Sequence, residues 1–140
     1  MSIFAHSTIA AGVYAMTIVH AGAAIGAVGM EWPVQADFRL SCSGCHGADG
    51  RGLGAKAVAE SAPPPDLTTL RQRNGNVFPR DRMRQLIDGR DVIKDDGRMP
   101  IWGQVFKRDA EEGLGGAAGD DATVRNRIDR LVDYIETLQR

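Results

Sequence analysis

The sequence predicts an all-α domain, and three observations predict it. The last segment places apolar residues at Val124, Ile128, Leu131, Ile135 and Leu138, a 4-3-4-3 rhythm that lines one face of a helix. Shorter segments upstream start at capping or proline signals and stop at glycine. No segment alternates apolar and polar residues with the two-residue period of a half-buried strand. The chain has 140 residues and a net charge of −1, which fits one domain and provides no basic field for nucleic acid.

Residues 1–30 carry no charged side chain and are rich in Ile, Val, Ala and Gly; Glu31 is the first charge. Such a run reads as a signal peptide or an N-terminal membrane anchor. Small-residue sites at Val19-His20-Ala21 and Ala21-Gly22-Ala23 favour cleavage, whereas the length of the run and the missing basic n-region favour an anchor. His6 and His20 read as tolerated polar residues within it.

The folded domain is expected over residues 31–140. Pro33 suits the first turn of a helix, and Val34, Phe38 and Cys42 follow at i, i+4 and i+8 on one face. That helix leads into Cys42-Ser43-Gly44-Cys45-His46. C-x-x-C-H is the attachment signature of a c-type haem: each thiol takes one vinyl group, and the adjacent histidine is held beneath the iron as an axial ligand. Gly44, without a Cβ, would relieve crowding under the macrocycle. Two other chemistries use parts of this pattern. A thioredoxin-like C-x-x-C would want a βαβ context, and none is visible. A structural zinc site would need more ligands, and no further cysteine exists.

Residues 47–66 read as a long glycine- and proline-rich loop. A loop of that length needs a reason, and wrapping one edge of a haem is sufficient. Pro63-Pro64-Pro65 can place a backbone carbonyl against the free ring nitrogen of His46, or act only as a stiff spacer. Asp66 caps a short helix from Leu67 to about Arg73; Asn74-Gly75-Asn76 is a turn. A further helix runs from Pro79 or Arg80 to Asp88 and stops at Gly89, with Met83, Leu86 and Ile87 as its apolar face. Arg71, Arg73, Arg80, Arg82 and Arg84 make this region basic, which reads first as a solvated face.

Met99 falls in a loop directly before Pro100, which keeps it out of a helix. Trp102 reads either as a packing partner for a haem edge or as core filling. Gln104 to Lys107 are expected to form a short helical turn and residues 109–121 an exposed acidic loop. The closing helix is expected from about Ala122 to Leu138, capped by Asp120 or Asp121. The pairs Asp95-Asp96 and Asp120-Asp121 do not read as acid/base catalysts.

Taken in order, Cys42-Ser43-Gly44-Cys45-His46-Gly47, Pro63-Pro64-Pro65-Asp66-Leu67, Arg98-Met99-Pro100-Ile101-Trp102-Gly103 and Val132-Asp133-Tyr134-Ile135 resemble a class I c-type cytochrome, the monohaem cytochrome c family, over about residues 31–140. The resemblance implies a class I cytochrome c fold, with short helices wrapped around one covalent haem c. It implies His46 and Met99 as axial ligands, thioethers at Cys42 and Cys45, and a crossing of first and last helices where Phe38 meets Tyr134. It implies a one-electron carrier rather than an enzyme, exported to a bacterial periplasm. Its redox partners would be a donor dehydrogenase or cytochrome complex and an acceptor oxidase or reductase. With the leader retained, the chain would instead be a tethered subunit of a periplasmic dehydrogenase or terminal oxidase. One departure stands out: the family often has glycine eight residues before the first haem cysteine, where this chain has Val34.

Overall fold

In the computed structural model, residues 33–57, 63–90, 99–113 and 120–140 are described. The apolar leader with His6 and His20, the Asp95-Asp96 pair, Arg98 and the glycine-rich 114–119 segment lie outside the described residues. Among the described residues the fold is all-α, with helices α1 (Val34–Ser41), α2 (Ser43–His46), α3 (Leu70–Arg73), α4 (Arg80–Asp88), α5 (Trp102–Glu111) and α6 (Asp121–Thr137). A 3-10 turn, Leu67–Thr69, runs directly into α3. No helix among the described residues is long and apolar enough to cross a membrane.

Helix α6 is the centre of the domain, and α1, α4 and α5 all pack on it. Its stripe of Val124, Ile128, Leu131, Val132 and Ile135 is buried. Asp120 caps the helix by accepting the Thr123 N–H at 2.7 Å, which satisfies one of the amides that a helix start leaves unpaired. Against this stripe lie Phe38 from α1, Met83 and Ile87 from α4 and Phe106 from α5, with Leu67 and Phe78 from the connections. Phe38 is fully buried and its ring centroid is 5.1 Å from that of Tyr134, tilted by 60°. Val34, at the position where glycine was noted as common, is partly buried against the same core.

Helix α4 keeps the expected bounds. It ends at Gly89, which takes the left-handed conformation and donates its N–H to Gln85 O at 2.8 Å. Its arginines lie on a partly to fully exposed face, as the sequence indicates, and several of them meet carboxylates there. Arg80 pairs with Asp133 and Glu136, Arg84 with Asp129 and Asp81, and Arg71 of α3 with Glu136. Acidic residues one turn apart on α6 bring this about, through a separation that local pattern does not reveal.

Helix α5 is longer than the turn expected at Gln104–Lys107, and Asp109, Ala110 and Glu111 belong to it rather than to a loop. Tertiary contacts hold the extension. Arg127 of α6 reaches Asp109 at 3.1 Å and grips Asp37 of α1 with two bonds of 2.9 and 2.8 Å. Its guanidinium lies 3.9 Å from the Phe106 ring centroid. One arginine thus ties three helices together, and removing it would strand two half-buried carboxylates.

Several carboxylates sit below their usual range: Asp88 through the Arg90 guanidinium, Asp120 through the Thr123 amide and Asp121 through Arg90. Their folded affinity for protons is lower than in the unfolded chain. Stability is therefore fully present above the unfolded value of 3.8 and is lost as pH falls through the folded ones. Far-UV circular dichroism should stay level from neutral pH to about pH 5 and fall below about pH 4. Helicity that stays level down to about pH 2 would contradict this.

Candidate haem-binding site

The signature residues occupy one tight turn. Helix α1 ends at Ser41, Cys42 donates its N–H to Phe38 O at 2.8 Å, and α2 carries Ser43 to His46. Cys42 and Cys45 are three residues apart on this turn, and both thiols are free. Burial, with the Asp37 carboxylate adding to it, pushes the Cys42 thiol up to about 12. It is therefore a neutral thiol at physiological pH, the opposite of the lowered-pKa thiolate on which a redox C-x-x-C depends. Among the described residues, no three His, Cys, Asp or Glu side chains converge as a bare zinc site would require.

The glycine-rich segment after the signature has a definite structural job. Helix α2 ends with carbonyls that have no partner in the helix. Gly52 N–H binds His46 O at 2.7 Å, Gly54 N–H binds Cys45 O at 3.0 Å and Lys56 N–H binds Gly44 O at 2.8 Å. This backbone approach is so close that a Cβ on Gly54 would lie 2.7 Å from the Cys45 carbonyl carbon and nearer still to the Ser43 and Gly44 oxygens. A Cβ on Gly52 would strike the Pro64 carbonyl oxygen. The sequence showed the glycines as a loop; their purpose is to lay one backbone flat on another. Gly44 itself faces the Lys56 side chain, with Lys56 Cδ 3.3 Å from where a Cβ would be.

His46 is half-buried, and its Nδ1 lies 3.3 Å from Pro65 O. A carbonyl can only accept, so this contact places the proton on Nδ1 and leaves Nε2 with its lone pair. Burial lowers the imidazole below its ordinary value of 6.5, while the Pro65 carbonyl acts in the opposite direction. The ring is therefore neutral, as a metal ligand must be. Of the two readings of the Pro-rich stretch, a carbonyl partner for His46 is the one the structure displays. Asp66 caps the turn after it by accepting the Thr68 N–H at 2.8 Å and the Thr68 hydroxyl at 2.6 Å.

Met99 lies just ahead of α5, partly buried and packed against the core. Cys42 and Trp102 are partly buried against that same core. Trp102 opens α5, with its ring centroid 5.4 Å from that of Phe106. Met83 is instead 6 % exposed on the inner face of α4, placed for packing. The structure thus brings Cys42, Met99 and Trp102 to one apolar core, and His46 follows Cys42 by one turn. Sequence reasoning missed Asp37, Asp109 and Arg127, which brace the helices on either side; only the acidic first turn of α1 carried a local signal.

The residues fit a covalent haem. Two free thiols sit on one turn, a neutral imidazole has its outer nitrogen fixed, and a thioether lies in a loop against the same core. No family model, curated protein or solved structure matches the chain.

Proposed function

We propose that this chain is a class I c-type cytochrome, an exported one-electron carrier with a single covalent haem c. The observation that carries the reading is the C-x-x-C-H turn whose histidine is held by the Pro65 carbonyl. Cys42 and Cys45 would attach the haem by thioethers, and His46 Nε2 and the Met99 sulfur would ligate its iron. A haem so bound supplies a reversible one-electron iron couple. The Pro65 carbonyl draws on the Nδ1 proton and so makes His46 a stronger donor. Met99 supplies a soft thioether, which favours the reduced state relative to a second nitrogen ligand. With His46 and Met99 both as ligands the iron would offer no open position to a substrate, which would separate this reading from a haem enzyme or gas sensor. The core of Phe38, Phe106 and Leu131 excludes water from the apolar side. Redox partners would be a donor dehydrogenase or cytochrome complex and an acceptor oxidase or reductase.

The thirty uncharged leader residues favour export, and their fate separates a diffusing carrier from a tethered subunit of a dehydrogenase or oxidase complex. The attachment itself is tested by substitution. Wild-type protein should keep haem stain in a denaturing gel. Cys42→Ala and Cys45→Ala should each weaken that stain, and the double variant should abolish it. Stain unchanged in the double variant would overturn the assignment.

A further inference from the structure

The segment that holds His46 is itself held from far along the chain. Pro65 O accepts from His46 Nδ1, and the residues that follow form a strap of Asp66, Leu67 and Thr68. The two residues beyond the last turn of α6, Gln139 and Arg140, grip this strap. Arg140 donates from Nε to the Thr68 hydroxyl at 2.7 Å, from its guanidinium to Asp66 Oδ2 at 2.9 Å and from its backbone N–H to Thr68 O at 3.2 Å. Gln139 Nε2 spans Leu67 O at 2.7 Å and Ile135 O at 2.9 Å, which joins the strap to α6. Thr68 is only 4 % exposed, so its contacts are shielded from competing water.

We propose that Gln139 and Arg140 are positioning residues for the His46 imidazole, acting through the 66–68 strap and the Pro65 carbonyl. The inference rests on the haem reading above. Its physical basis is the length of the bond at stake. At 3.3 Å the His46–Pro65 contact is at the long end of the hydrogen-bond range. A carbonyl shift of about half an ångström ends it. Pro65 limits its own φ, but the plane of its carbonyl is set by the peptide to Asp66, and Asp66 is fixed by Thr68 and Arg140. The strap is also tied by Arg73 to Asp66 O at 2.6 Å and by the Leu67 N–H to Gly50 O at 2.8 Å, so losing the Gln139 and Arg140 grip loosens that peptide and weakens the contact that fixes the imidazole plane.

The test is exchange of the His46 Nδ1 proton with solvent, followed by NMR in the reduced, haem-loaded protein. The variants are Gln139→Ala, Arg140→Ala, Arg140→Lys and Arg84→Ala. Arg84 ties α4 to Asp129 and does not touch the strap, so it reports general destabilisation. Exchange should accelerate about tenfold or more in Arg140→Ala and measurably in Gln139→Ala. It should be partly restored in Arg140→Lys, which keeps the charge toward Asp66 but loses the fork, and near wild type in Arg84→Ala. Wild-type rates in both Gln139→Ala and Arg140→Ala would overturn the inference, as would equal acceleration in Arg84→Ala. Should Arg140→Ala fail to fold, Gln139→Ala decides alone. A wild-type protein without gel-stable haem stain overturns the haem reading and the inference with it. A stained wild type whose exchange the strap variants leave unmoved overturns the inference alone.

Discussion

Met99→Ala should erase the methionine-to-iron charge-transfer band from the oxidised spectrum and lower the reduction potential. As a soft ligand the thioether would stabilise the reduced iron, so its loss would shift the balance toward the oxidised state. A fall on the order of 0.1 V or more is expected, within the roughly 0.8 V range over which axial ligands set haem potentials. The vacated position should then take up external imidazole, which the wild type should exclude. Met99 is a partly buried residue in a loop ahead of Pro100, so the truncation removes no helix interior. Unchanged spectrum and potential would mean a different ligand. Met83 would be the next candidate, although it is buried on the core face of α4.

Phe38→Ala should be the most destabilising single change in the helical core. The side chain is fully buried and forms a tilted ring pair with Tyr134 where α1 crosses α6. Truncating a buried Phe costs about 3–5 kcal/mol through lost transfer energy and the cavity left behind. A whole domain has only about 5–15 kcal/mol to lose, so the variant should be near the limit of folding at physiological temperature. Tyr134→Phe keeps the ring pair and should stay close to wild type. Urea unfolding of the two variants checks this. A loss below about 1 kcal/mol in Phe38→Ala would show that the crossing does not depend on this ring.

What could be read in the sequence and what could not divide along a physical line. Helix α6 was legible to within a residue at either end because its cap and its stripe are both local signals. The same holds for α4 between Pro79 and Gly89 and for Asp66 as a cap. The Phe38–Tyr134 pair came from a family resemblance, and the structure shows the rings together. The length of α5 was not legible. Its stripe is only Trp102, Val105 and Phe106, and its last turn is held by Arg127 from eighteen positions beyond Asp109. The arginines of α3 and α4 read as a solvated face and are partly to fully exposed, but their pairing with Asp129, Asp133 and Glu136 was not legible because those carboxylates lie on a different helix. Gly52 and Gly54 announced a loop but not the carbonyls they lie against, since a close backbone approach has no side-chain signature. At the candidate site, Cys42, Cys45 and His46 were legible as one motif. The contacts of Gln139 and Arg140 with the 66–68 strap, next to the Pro65 carbonyl that His46 meets, were not, because each of them is set by the tertiary fold.

Covalent haem attachment is read at once from the mass of the mature protein under denaturing conditions. That measurement should show a single species heavier than its polypeptide by one haem, with the polypeptide beginning between about Gly22 and Glu31. A mass equal to the polypeptide alone, with both thiols open to alkylation, would contradict covalent attachment at Cys42 and Cys45.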